Sequence, residues 1–313
     1  MSDVPVIQTE NLTKTFKGLI ALDQLSIELF PGDVFGFIGP NGAGKSTTMK
    51  IVAGLLQQTS GAARVLGRDV RGNGDFVRRN VGYMPDFLGV YEDLTVVEYL
   101  EFFASAYGIP RRRRKTVVDD VLELTELSYK RDALVDSLSR GMTQRLSLAR
   151  VLVHDPPALL LDEPASGLDP RARIEIRELI KALQAMGKTI IVSSHILSEL
   201  GEFCNKLGII ERGKLLVFGT IDDLMRQAHA HPAIVVKVLG DANAARVLMQ
   251  GDARVSDVEV RGGELHVTLS DPGVHHHFLI DLLVGGQIKL DSVTPHQIKL
   301  EDVFLRLTKG IVN

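Results

Sequence analysis

Apolar positions along this 313-residue chain follow two rhythms that take turns. Short apolar runs at Val34 to Ile38, Ala158 to Leu161, Thr189 to Ser193 and Leu207 to Glu211 predict buried strands. Val4 to Thr9 reads as another strand. Leu22 to Leu29 alternates through Leu25, Ile27 and Leu29, the period of a half-buried strand. Pro31-Gly32-Asp33 turns the chain into Val34 to Ile38. Gly61 to Gly67 reads as a strand and turn, and Val81 to Pro85 as a strand stopped by proline. Helical spacing of Leu, Val and Phe takes over in Thr95 to Tyr107, Lys115 to Leu127 and Ser139 to Leu152. Thr95 and Glu98 make a capping box for the first of these. Residues from about 87 to 155 are therefore expected to form an inserted, mostly helical subdomain. Lys45 to Ala53 (ended by Gly54), Arg173 to Met186 and Ser198 to Asn205 read as helices between the strands, so the core alternates β and α.

Asp222 to Ala230 reads as one more helix, broken by His231-Pro232, and the domain boundary is expected there, dividing 1–230 from 231–313. The remainder runs strand Ala233 to Leu239, helix Ala242 to Met249, strands Val255 to Val260 and Glu264 to Leu269, helix Val274 to Val284 and strand Ile288 to Val293. Arg261-Gly-Gly263 is a hairpin signal between the middle pair. This β-α-β-β-α-β order is that of the small α+β ferredoxin-like unit. A last helix, Leu300 to Lys309, is stopped by Gly310.

Hydrophobic content of 45% and charged content of 24% fit a globular protein with a full core. The net charge of −3 gives no basic field, so no nucleic-acid partner is expected. The single cysteine, Cys204, excludes an internal disulfide and sits in an apolar helical pattern, as a buried structural thiol would. Met-Ser-Asp-Val-Pro-Val has neither a basic start nor a long apolar stretch, so no signal peptide is expected. The apolar runs fall far short of the roughly 18 residues that span a bilayer, so action on a membrane requires a partner inside it. Arg111 to Lys115 is five consecutive basic residues, either a solvated helix entrance or a contact for anionic lipid headgroups. His275-His-His277 has no cysteine or carboxylate at matching spacing and reads as surface histidines rather than a metal site.

Chemistry concentrates at Gly39-Pro40-Asn41-Gly42-Ala43-Gly44-Lys45-Ser46-Thr47, the phosphate-binding pattern G-x-x-x-x-G-K-[ST] between a strand and a helix. Gly39, Gly42 and Gly44 let the backbone curl so that N–H groups point at phosphate oxygens, and the helix N-terminus adds its partial positive charge. Lys45 is expected to reach the β- and γ-phosphates and the Ser46 hydroxyl to sit on Mg²⁺. Leu159-Leu-Leu-Asp162-Glu163 is the second nucleotide signature: the strand delivers Asp162 to the metal side, and Glu163 can act as base on the attacking water.

Three further pieces carry a family resemblance. Leu138-Ser139-Arg140-Gly141-Met142 is similar to the signature motif of ATP-binding-cassette (ABC) ATPases, Leu-Ser-Gly-Gly-Gln, at Leu138, Ser139 and Gly141, departing at Arg140 and Met142. Ser166-Gly-Leu168-Asp169 resembles the family's D-loop, and His195 its switch histidine. The resemblance covers about residues 4 to 220. It implies a P-loop NTPase core that binds ATP with Mg²⁺. Ser139, Gly141 and Asp169 would complete the ATP site of a second copy in a head-to-tail homodimer. Phe16 lies where the family stacks an aromatic on adenine, or else is a core aromatic. Asp86 falls at the Q-loop position, normally Gln or Glu; it is one methylene shorter and is expected still to contact Mg²⁺ or the attacking water, directly or through a water. Ser-Arg-Gly-Met, Val90 to Val96 and the ending Leu300-Glu-Asp-Val-Phe-Leu305 look like the ABC-2-type export branch. That branch implies an ATPase subunit on the cytoplasmic face of the membrane, beneath separate permease subunits that Phe87 to Leu94 would touch. The alternative is a non-transport ABC ATPase acting on ribosomes or DNA, although such proteins usually carry two cassettes or a coiled-coil insert, which this chain lacks. The C-terminal part shows no catalytic constellation and is expected to stabilise or regulate the dimer.

Overall fold

The computed structural model describes residues 4–86, 89, 93–227, 233–271 and 274–296. In chain order the elements are β1 (Ile7–Phe16), β2 (Leu19–Leu29), β3 (Val34–Ile38), α1 (Lys45–Val52), β4 (Ser60–Val65), β5 (Arg68–Asp69), α2 (Gly74–Asn80) and β6 (Val81–Met84). Then come α3 (Val96–Ala106), α4 (Arg111–Leu124), α5 (Arg140–Leu152), β7 (Ala158–Leu161), α6 (Pro170–Ala185), β8 (Thr189–Ser194), α7 (Leu197–Gly201), β9 (Lys206–Glu211) and β10 (Lys214–Thr220). Last are α8 (Ile221–Gln227), β11 (Ala233–Val238), α9 (Ala242–Gln250), β12 (Val255–Arg261), β13 (Glu264–Leu269), α10 (His277–Gly285) and β14 (Leu290–His296). The chain divides into two compact units, 1–221 and 222–313. The division falls at the start of α8, ahead of the His231-Pro232 break, which lies outside the described residues. So do the expected helix Leu300 to Lys309, the ending Leu300 to Leu305, and parts of the Phe87 to Leu94 and Val90 to Val96 stretches.

The first unit holds two sheets. A six-stranded sheet runs β10-β9-β3-β8-β7-β6, parallel except for the β9–β10 hairpin. Every residue of β3, β7 and β8 is buried, as a sheet covered on both faces requires. A four-stranded antiparallel sheet, β2-β1-β4-β5, lies across it. Between them pack Ile7, Leu25 and Leu29 with Phe35, Phe37, Met49, Leu160 and Ile191.

Two hairpins were not anticipated. Lys17-Gly18 joins β1 to β2 and Arg212-Gly213 joins β9 to β10, each with both residues at positive φ. Such two-residue X-Gly turns match the strand twist. They extend β1 beyond the expected Thr9 and add β10.

The inserted helices pack on one another as their apolar spacing dictates. Val96, Tyr99, Leu100 and Ala104 of α3 face inward, with Val118, Val121 and Leu122 of α4 and Leu146, Leu148 and Ala149 of α5. The capping box forms: Glu98 N–H donates to Thr95 Oγ1, and Thr95 N–H donates to Glu98 Oε2 at 2.9 Å. Helix α4 begins at Arg111, earlier than Lys115, because Arg is a good helix former although the run lacks apolar residues. Arg111, Arg112, Arg113 and Lys115 are exposed, and none of the five cations is ion-paired among the described residues. Cys204 is buried, which pushes its thiol pKa up.

In the second unit the sheet order is β12-β13-β11-β14, all neighbours antiparallel, with α9 and α10 packed on one face. Strands β11 and β12 are separated by β13, the split arrangement expected of a ferredoxin-like unit. The rings of His275, His276 and His277 stack on one another at the entrance to α10.

His154, just after α5, stacks on Tyr107 at 3.8 Å between ring centroids. Burial lowers its pKa from 6.5 to about 4. Its neutral form is favoured in the fold, so the stability it contributes is complete above pH 6.5 and is lost as pH falls toward 4. Between pH 7 and pH 5 this group removes about 2 kcal/mol. Urea midpoints at the two pH values should differ less in His154→Phe than in the wild-type chain.

Candidate active site

Strands β3, β8 and β7 lie side by side and end at one edge. Ile38 is level with Ser194, and Leu161 with Val192. The chain leaving β3 is the Gly39–Gly44 loop, that leaving β7 is Asp162-Glu163, and that leaving β8 is His195. Residues far apart in sequence thus meet outside the carboxyl ends of parallel strands.

The loop is closed by its own backbone. Ala43 N–H donates to the Pro40 carbonyl at 3.1 Å, and Thr48 N–H to that of Gly44 at 2.9 Å. Gly39 passes so close to β9 that a Cβ there would lie 2.2 Å from the Ile210 carbonyl oxygen, so only glycine fits. Lys45 is 6% exposed. Its ammonium donates to the carbonyls of Gly39 and, at 3.3 Å, Pro40, and lies 3.6 Å from Glu163 Oε1.

Asp162 is 3% exposed, and its Oδ1 accepts from Ser193 Oγ at 2.6 Å. Ser193 Oγ in turn accepts from Glu163 N–H at 2.8 Å. Glu163 has a left-handed backbone, φ 50°, a conformation that costs a non-glycine residue about 1–3 kcal/mol. Its Oε2 lies 3.0 Å from His195 Nδ1, so the carboxylate is flanked by Lys45 on one side and His195 on the other. A cavity of about 140 Å³ is lined by Pro40 through Thr47 with Asp86, Asp162 and Glu163. These expected site residues therefore come together, and His195 joins them through Glu163.

The signature residues lie elsewhere. Ser139 caps α5, its Oγ accepting from Met142 N–H at 3.4 Å. Asp169 caps α6 by accepting from Ala172 N–H at 3.0 Å, with Pro170 in the first turn, which starts α6 ahead of the expected Arg173. Ser139, Gly141 and Asp169 line a separate cavity of about 200 Å³. The Arg140 guanidinium lies against Gly167, where a Cβ would fall 2.3 Å from its central carbon. Gly167 has φ 65°, and it is this left-handed backbone that favours glycine there, since the Arg140 tip could swing away. Phe16, at the end of β1, is 42% exposed, with the Lys14 ammonium 4.8 Å from its ring centroid.

Residues 22–166 match the family model of ABC transporters. The chain is 37% identical to the bacitracin transport ATP-binding protein BcrA of Bacillus licheniformis over 306 residues, 97% of this chain and 98% of that protein. The chain belongs to the ABC transporter family. This ABC ATPase is also 32% identical over 307 residues to the linearmycin resistance ATP-binding protein LnrL of Bacillus subtilis (strain 168), covering 97% of the one and 98% of the other. A solved ATP-binding subunit of an ABC transporter superposes with a TM-score of 0.65 at 30% identity, over 71% of this chain and 92% of that one. The first unit is thus an ATP-hydrolysing cassette with ATP as substrate.

Two residues of the cassette's site escaped sequence reasoning. Ser193 was visible only as one of three hydroxyl residues, with Thr189 and Ser194, in a buried strand. The Tyr83 hydroxyl is buried with no hydrogen bond among the described residues. Burial, reinforced by the Asp162 and Asp86 carboxylates, raises its pKa to about 12, so it keeps its proton. The donors gathered in the loop cavity, the Ser46 hydroxyl and the carboxylates of Asp86, Asp162 and Glu163, are all oxygen. Such a set suits a hard divalent cation.

Ser193→Ala removes the bridge between Asp162 and the Glu163 backbone. Lost support of this kind costs about 10- to 100-fold in activity. Steady-state ATPase assays should show kcat lowered by roughly tenfold or more.

Proposed function

We propose that this ABC ATPase is the energy-supplying subunit of an exporter. Two copies close head to tail around two ATP molecules at the cytoplasmic face of the membrane and drive separate permease subunits of ABC-2 type. The observation that carries the catalytic part is the convergence of the phosphate loop, Asp162-Glu163 and His195 at one sheet edge. The transport part is supported by near full-length similarity to proteins named for bacitracin transport and linearmycin resistance. Among the described residues no helix is long and apolar enough to cross a membrane.

In this reading the loop N–H groups and the α1 N-terminus hold the phosphates, and Phe16 stacks on adenine. Lys45 exchanges the Gly39 and Pro40 carbonyls for phosphate oxygens. Ser46 and Asp162, assisted by Asp86, hold Mg²⁺, which supplies neutralising charge to the phosphate oxygens. Glu163 accepts a proton from water as the water oxygen attacks the γ-phosphorus. The bond to the β-phosphate oxygen breaks, leaving ADP and phosphate. His195 donates to a γ-phosphate oxygen and so senses its presence. Ser139, Gly141 and Asp169 of one copy complete the cavity of the other, which makes closure depend on the γ-phosphate.

Glu163→Gln should bind ATP, accumulate as an ATP-bound dimer in size-exclusion chromatography, and turn over more than about 100-fold slower. Near-normal turnover would sink the assignment of the base. Affinity purification of the tagged chain from gently solubilised membranes should recover a polytopic membrane protein in about equal amount. Recovery with ribosomes and no membrane protein would overturn the exporter reading.

A further inference from the structure

A cavity of about 480 Å³ lies behind the catalytic carboxylate, between α6, α7 and residues 163–167 of the loop that runs on through Leu168. Its walls include Glu163 and His195, apolar Ile176 and Ile180 of α6, and Leu200 and Phe203 at α7. Helix α7 directly follows His195, yet a void separates much of it from α6, so ion pairs rather than side-chain packing bridge the gap. Arg173 spans it in a way no other side chain does among the described residues. Its Nη1 donates to Glu199 Oε1 of α7 at 2.9 Å, while its Nε donates to the Leu168 carbonyl of the loop at 3.0 Å. A second pair joins Arg177 of α6 to Glu202 at the end of α7, and the Arg177 Nε donates to Glu178 of its own helix rather than to the loop.

We propose that Arg173 is a positioning residue that ties the loop 166–169 to α7 and thereby sets His195 against Glu163. The inference rests on the proposed roles of Glu163 and His195 and adds a link between them and the loop. The planar guanidinium is suited to this because its fork fixes the angle between its two acceptors, which an ammonium does not. Both acceptors sit within a few residues of catalytic groups: Leu168 follows Glu163 in the same loop, and Glu199 follows His195. A shift of the loop is therefore passed to α7 through one rigid group.

The test is a kinetic double-mutant cycle on the full chain, with Arg173→Met, Glu199→Met and their combination, and Arg177→Met for comparison. Arg173→Met should lower kcat about tenfold with KM for ATP within about twofold, the pattern of a lost transition-state arrangement rather than lost binding. The double variant should be no slower than Arg173→Met, because both changes remove one shared contact. Arg177→Met should stay within about twofold of wild type, since it breaks an α6–α7 pair without touching the loop. A wild-type kcat in Arg173→Met, an equal loss in Arg177→Met, or a double variant slower by the product of the singles would each overturn the proposal. Should Arg173→Met fail to fold, Glu199→Met, which is of similar length but has no oxygen acceptor, carries the test alone, with a kcat loss and unchanged KM expected and an unchanged kcat refuting it. Normal turnover in Glu163→Gln would instead remove the underlying catalytic reading, whatever the Arg173 variants do.

Discussion

The active site depends on a constraint of backbone hydrogen bonding. β3, β8 and β7 are neighbours in one parallel sheet, and their registers set Ile38 level with Ser194 and Leu161 level with Val192, so the three strands end at one edge. Parallel strands require long crossovers, so the three segments leaving that edge come from distant parts of the chain. The phosphate loop, the Asp162-Glu163 pair and His195 owe their proximity to this sheet order. Full burial of the three strands leaves little freedom for slippage, because a one-residue shift would move every side chain to the opposite face.

Charge then organises what the sheet has gathered. Glu163 lies between the Lys45 ammonium and the His195 ring, with its backbone in a left-handed turn held by Ser193. The same Ser193 hydroxyl donates to Asp162, so one buried group orients the two adjacent acids. Lys45 is meanwhile bound by carbonyls of its own loop. The cation and the acids are thus held within a few ångströms without collapsing into one tight ion pair. This leaves the carboxylate oriented and the loop cavity open to a phosphate chain.

The signature segment and the loop cavity occupy different places on the first unit. Ser139 and Asp169 both cap helices, and their side-chain oxygens already accept backbone N–H bonds there. Each therefore fixes a helix N-terminus whose remaining N–H groups point outward, which is the arrangement an anion favours. Two separate cavities on one chain are what the proposed head-to-tail pairing of two copies calls for. Near full-length similarity to transport ATPases agrees with such a division of labour, in which the membrane pathway belongs to other subunits.

Local pattern determined much of this protein. The phosphate loop, the acidic pair at the end of an apolar strand, the Thr95 capping box and the β-α-β-β-α-β order of the second unit can each be read over a few residues. Each rests on short-range chemistry: backbone curl, strand period, cap geometry. The two X-Gly hairpins and the Asp169-Pro170 helix start were equally local, although they were not read. Other features had no local trace. Nothing within Thr189 to Ser194 says that Ser193 will bridge two acids about 30 residues away. Nothing around Glu163 announces its left-handed backbone, or around Arg173 its hold on both Leu168 and Glu199. Those were decided by which strands became neighbours and which helices covered them. Hydrogen bonds between distant segments impose no periodicity on the sequence, so only the folded chain reveals them.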